Sequence, residues 1–221
     1  RHDPLKNTTR SMQLLGEVLG QRKEADAFNA YWQQQLNVVT ERLAAKKPPS
    51  PTVFLENRVG LSEGCCDTMV GLAGVLLDAA GGQNVAPGLV PGEFGTLNPE
   101  FLIAKQPQFY IGTGIGSMAT ADKTPMRIVL GAGATPEAAR ASLARATQRR
   151  GIVQLQAVKD GHAFAIWHHF YNSPFNVAAV QVFAKWLHPE LFADLDPRAT
   201  LQTMYTRFQP IPLSGVYWTG L

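Results

Sequence analysis

Residues 22–47 contain neither glycine nor proline, and the five residues KPPSP (47–51) contain three prolines. Within the first stretch Phe28, Trp32, Leu36, Val39 and Leu43 recur at spacings of three and four, the period that lines side chains along one helix face. The pattern predicts a single helix of about 26 residues, ~39 Å long at 1.5 Å per residue. Proline lacks an amide donor and restrains the residue before it, so KPPSP ends the helix and marks a boundary. The preceding TTRSMQLLGEVLG (8–20) places Met12, Leu14, Leu15, Val18 and Leu19 at helical spacing and closes on Gly20, which predicts a short amphipathic helix.

Beyond the boundary, apolar runs alternate with helix signals. TVFLE (52–56), QFYIGT (108–113), RIVLGA (127–132) and HAFAIW (162–167) read as strands. A helix is predicted over 67–80, closed by Gly81 and Gly82. Asn98-Pro99-Glu100, Thr135-Pro136-Glu137, Ser173-Pro174 and Asp196-Pro197 each pair a capping residue with a proline at a helix start. Alternation of this kind predicts an α/β fold with a mostly parallel sheet covered by helices on both faces. The expected domains are a helical segment over 1–47 and an α/β lobe over 52–221.

Of the 221 residues, 45% are hydrophobic and 17% charged, which leaves little room for disorder. A net charge of +3 without any long basic block argues against nucleic acid as a partner. No run approaches the ~20 apolar residues needed to span a bilayer. The opening Arg1-His2-Asp3-Pro4 is not a natural start and reads as a mature, trimmed or proteolysed chain.

In an open parallel sheet, ligands bind beyond the carboxyl ends of the strands. That rule selects Arg58, the glycines of Gly112–Gly116, and the cluster Trp167, His168, His169 and Tyr171. Adjacent histidines in a strand point to opposite faces, so no metal ion shared by the pair is expected; one ring is expected to be buried and the other to face a ligand. GTGIGS (112–117) places Ser117 where a dinucleotide fingerprint needs its third glycine. An α/β nucleotide- or cofactor-dependent enzyme using this loop therefore stands as the alternative reading. No catalytic signature of a serine hydrolase, zinc protease or phosphate-binding loop occurs, and no catalytic residues are assigned. Cys65 and Cys66, the only cysteines, are adjacent and lack metal-ligand spacing.

The ordered succession LGEVLG (15–20), a long unbroken helix, a strand, DAAGGQNVA (78–86), LNPEFLIAKQPQFYI (97–111), AVKDGHAFAI (157–166) and LHPELF (187–192) resembles the helical-backbone, class III periplasmic substrate-binding proteins. These serve ABC importers of iron-siderophore complexes, haem and cobalamin. The resemblance runs from about residue 12 to the C-terminus. It implies that 22–47 is the helix joining two lobes, that 52–221 is the C-terminal lobe, and that the N-terminal lobe has no counterpart here.

The same resemblance implies a periplasmic or membrane-tethered extracytoplasmic protein without catalytic turnover or cofactor. Its ligand would be an iron-siderophore complex or haem held between lobes by Arg58, Trp167, His168, His169 and Tyr171. Glu100 in LNPEF matches the glutamate that docks such proteins on their inner-membrane permease, and it also suits a first helical turn. An oxidising compartment would allow a vicinal Cys65–Cys66 disulfide. Surface left uncovered by the missing lobe would favour association of two such fragments.

Overall fold

A computed structural model describes residues 3–62 and 64–221; the trimmed start read at Arg1 and His2 lies outside the described residues. In chain order the helices are α1 (Pro4–Val18), α2 (Arg22–Lys46), α3 (Ala73–Ala79), α4 (Pro99–Lys105), α5 (Pro136–Thr147), α6 (Gln156–Lys159), α7 (Asn176–Leu187) and α8 (Pro197–Phe208). The strands are β1 (Thr52–Glu56), β2 (Asp67–Met69), β3 (Gln83–Asn84), β4 (Phe94–Thr96), β5 (Phe109–Gly114), β6 (Ala163–Trp167) and β7 (Trp218–Gly220). The chain divides into a helical unit, Arg1–Ser50 with Val75–Gly82 and Phe170–Leu213, and a sheet unit, Pro51–Gly74 with Gln83–His169 and Ser214–Leu221.

In the helical unit, α2 runs as read, and Phe28, Trp32 and Val39 from its apolar stripe are buried. It stops at Lys47, whose left-handed φ of 45° turns the chain into Pro48. Phe28 and Trp32 pack with Val177 of α7 and Met204 of α8. Trp32 Nε1 donates to Asn176 Oδ1 at 2.9 Å, and Asn176 Nδ2 donates to Thr8 Oγ1 at 2.8 Å. Three helices thus share one buried polar chain, in which each group is satisfied.

The starts of α1 and α7 differ from the reading. The first helix begins at Pro4, four residues earlier, because the Asp3 carboxylate accepts the amides of Leu5 and Lys6. The helix read from Ser173-Pro174 begins only at Asn176; Ser173 Oγ captures the Phe175 amide at 3.3 Å and holds a turn before it.

The sheet unit is a seven-stranded sheet of order β4-β2-β1-β5-β6-β7, with β3 also paired to β1. Its centre is parallel: β1 lies beside β3 and β5, and β5 beside β6; β2, β4 and β7 are antiparallel additions. Consecutive burial along β1 and β5 shows that both faces of these strands are covered. α5 and α6 pack on the sheet, and Phe54, Tyr110, Ile128, Leu143 and Ala165 belong to its core. The architecture is α/β with a mostly parallel sheet flanked by helices.

The helix read over 67–80 is shorter, because Asp67–Met69 pairs with β1 and the helix starts at Ala73. Thr68 Oγ1 donates to Leu55 O at 2.8 Å and secures this short strand. RIVLGA (127–132) is buried at Ile128, Val129 and Leu130 but is not a strand of the sheet. It touches Gly116 and Val216 through single residue pairs, and the Val129 amide donates instead to the Ser142 hydroxyl of α5 at 2.9 Å.

Candidate functional site

The carboxyl ends of β1, β5 and β6 lie side by side, as the registers Glu56↔Gly112 and Gly114↔Trp167 require. Arg58, two residues beyond β1, is exposed and adopts a left-handed φ of 48°. A non-glycine residue in that region needs local support. Here the Arg58 amide donates to Thr113 Oγ1 at 2.7 Å, and the Val59 amide donates to Thr113 O at 3.0 Å. Thr113 is 1% exposed, so a core residue of β5 sets the backbone that presents the guanidinium.

After β6 the chain tightens into a 3-10 turn, His168–Asn172. The two histidines therefore do not alternate across a strand as read, yet they separate by burial: His168 is 6% exposed and His169 is exposed. His168 Nδ1 lies 3.1 Å from Thr113 Oγ1. Burial, followed by the charges of His169 and Arg58, lowers the His168 pKa to about 4. At neutral pH His168 is an uncharged ring beside a cation.

Trp167 is half-buried, with its ring edge-on to Tyr217 (centroids 5.3 Å apart, 86° between planes) and to His169 (5.4 Å, 63°). Gly131 allows this packing: a Cβ there would stand 3.0 Å from Trp167 Nε1. The sheet unit thus gathers Arg58, Thr113, Trp167, His168 and His169. Asn57 is 7% exposed, and its Oδ1 has no hydrogen-bond partner among the described residues. Thr113 was not picked out by the sequence, which presents it only as the residue between two glycines. Tyr171 falls in the helical unit, half-buried, lining a groove of about 460 Å³ with Pro4, Thr8 and Met12 of α1.

Gly112 and Gly114 lie inside β5 rather than in a phosphate-binding loop. A Cβ on Gly112 would meet Val59 Cγ2 at 2.8 Å, and one on Gly114 would meet Ile128 O at 3.0 Å. Their role is close packing. Among the described residues, no three His, Cys, Asp or Glu side chains gather to hold a metal ion. Cys65 and Cys66 are bonded to each other. Glu100 is exposed at the start of α4, its amide accepted by Asn98 Oδ1 at 2.7 Å. No described helix is long and apolar enough to cross a membrane.

No family model and no curated protein matches the sequence. Solved structures do match. The TroA-like periplasmic binding protein FepB of Veillonella parvula superposes with a TM-score of 0.88 at 27% identity, over 98% of this chain and 62% of that one. CeuE of Helicobacter pylori, in a Ni-His complex, gives 0.66 at 13% identity, over 93% and 58%. A periplasmic heme binding protein of Pseudomonas aeruginosa gives 0.61 at 19% identity, over 84% and 61%. The chain has the fold of the class III, TroA-like periplasmic binding proteins, and it spans about three fifths of the length of these three structures.

Proposed function

We propose that this chain is the C-terminal lobe and connecting helix of a periplasmic solute-binding component of an ABC importer. The parent protein binds an iron-siderophore complex or haem between its lobes and delivers it to a membrane permease. The observation that carries this reading is the cluster at the strand ends: an exposed Arg58, a half-buried Trp167 and an exposed His169 arranged around the uncharged His168. A guanidinium suits the carboxylates or catecholates of an iron chelate or the propionates of haem, and an indole suits their flat rings.

Glu100 is assigned to permease docking, since its carboxylate is exposed on a helix start fixed by Asn98. The Cys65–Cys66 bond fits an oxidising, extracytoplasmic compartment. The long α2 is assigned as the inter-lobe helix, and a second copy of the fragment as an occupant of the surface that an N-terminal lobe would cover.

Thermal unfolding of the 221-residue chain tests the reading, with haemin, a ferric catecholate, cobalamin, ATP and NAD each added in turn. A ligand that binds only the folded state raises Tm. The reading predicts a rise with an iron chelate or haemin that Arg58→Ala diminishes. A rise with ATP or NAD alone would support an enzyme instead.

A further inference from the structure

Arg149, just beyond α5, is 8% exposed and uses all five of its donors. Nη1 and Nη2 grip the Glu56 carboxylate at 2.9 and 2.5 Å, and Nη1 also donates to Gly64 O at 2.9 Å. Nη2 donates to Tyr110 Oη at 3.2 Å, and Nε donates to Ala146 O at 2.8 Å. Tyr110 Oη in turn donates to Glu56 Oε2 at 2.5 Å. Glu56 is the last residue of β1, and Gly64 lies eight positions further on, with Arg58 between them in sequence. One guanidinium therefore holds a residue on each side of Arg58 in the chain.

Stability alone does not call for this arrangement. A buried ion pair loses much of its attraction to desolvation, and apolar side chains of similar volume often serve as well. What a planar fork provides and an apolar side chain cannot is a fixed geometry between two backbone points. Thr113 supports the positive φ of Arg58 through the Arg58 and Val59 amides, and Arg149 adds a hold on Glu56 before it and on Gly64 after it. Gly151 extends the support: a Cβ there would stand 2.9 Å from Cys65 Sγ, so the segment carrying Arg149 also lies against the disulfide that follows Gly64.

We infer that Arg149 is a positioning residue for ligand capture, holding Glu56 and Gly64 so that the turn between them presents Arg58 to an anionic ligand. The inference rests on the reading above that Arg58 meets the ligand. Lysine keeps the charge but has one nitrogen, which cannot bridge the carboxylate, Gly64 O and Ala146 O together.

The test is a double-mutant cycle with ferric tris-catecholate as the probe, combined with amide hydrogen exchange. Arg149→Lys is expected to weaken binding about tenfold, Arg58→Ala by at least as much, and the double variant no further than Arg58→Ala alone. Amides of residues 57–62 are expected to exchange about tenfold faster in Arg149→Lys, while those of β5 stay protected. If Arg149→Lys does not fold, Glu56→Gln removes the charge while keeping the shape and is expected to act in the same direction.

Independent, additive losses in the cycle would overturn the inference, and so would unchanged exchange in the turn. If Arg58→Ala leaves binding unaltered, the ligand role of Arg58 is wrong and positioning for capture falls with it. The exchange result would then still decide whether Arg149 fixes the turn.

Discussion

The hydroxyl of Thr113 lies 3.1 Å from Nδ1 of His168, so a side chain buried in β5 fixes the ring that follows β6. The same oxygen accepts the Arg58 amide. Thr113→Val removes both contacts at nearly constant volume. It is expected to cost about 1–3 kcal/mol in urea unfolding, and Thr113→Ser to recover most of that. Equal stability of wild type and Thr113→Val would contradict the role given to this hydroxyl.

His168 also sets a pH dependence. Unfolded, its imidazole takes up a proton near 6.5, but in the folded chain only near 4. Between those values the unfolded state binds more protons, so stability is complete above pH 6.5 and falls as the pH drops towards 4, by on the order of 3 kcal/mol. Burial lowers the His188 pKa as well, and it acts in the same direction. Carboxylates titrate in the lower part of this window, so the measurement is a difference: urea midpoints at pH 7 and pH 4.5 for wild type and His168→Asn. The variant is expected to lose less stability on acidification. An identical loss in both proteins would remove His168 as the cause.

Cys65 and Cys66 are the only cysteines, and they are bonded to each other. Protein purified from an oxidising compartment and unfolded without reductant is expected to show no free thiol, and two after treatment with a dithiol. Two free thiols before reduction would contradict the bond and weaken the extracytoplasmic assignment.

Long, regular features were legible in the sequence. The apolar stripe of α2 and the prolines after it leave one reading, and β1, β5 and β6 announce themselves because buried parallel strands carry unbroken apolar runs. Short edge elements were not legible. Asp67–Met69 and Trp218–Gly220 are three residues each, too few for a period to emerge, and their pairing is set by neighbours distant in sequence.

RIVLGA misleads for the opposite reason: it has the composition of a strand, but Ser142 and Val216 take up amides that a neighbouring strand would bind. The rule for strand ends selects Arg58 and Trp167–His169, and the structure places them beyond or at the carboxyl ends of β1 and β6, which lie on either side of β5. The two histidines do not alternate across a strand, because the chain leaves the extended conformation at His168. Arg149 sits in QRR (148–150), which reads as solvated surface; only tertiary structure shows that a strand-end glutamate 93 positions earlier neutralises it.

The most direct test of ligand binding at the strand ends is tryptophan fluorescence of this chain titrated with haemin and with ferric tris-catecholate, in wild type and Trp167→Phe. The chain has four tryptophans, and a ligand seated on the Arg58–His169 cluster should quench chiefly the one at 167. Saturable quenching in wild type that is largely lost in Trp167→Phe is the expected result. Saturable quenching of equal size in both proteins would place the ligand elsewhere, and no quenching by either probe would contradict the proposed ligand class.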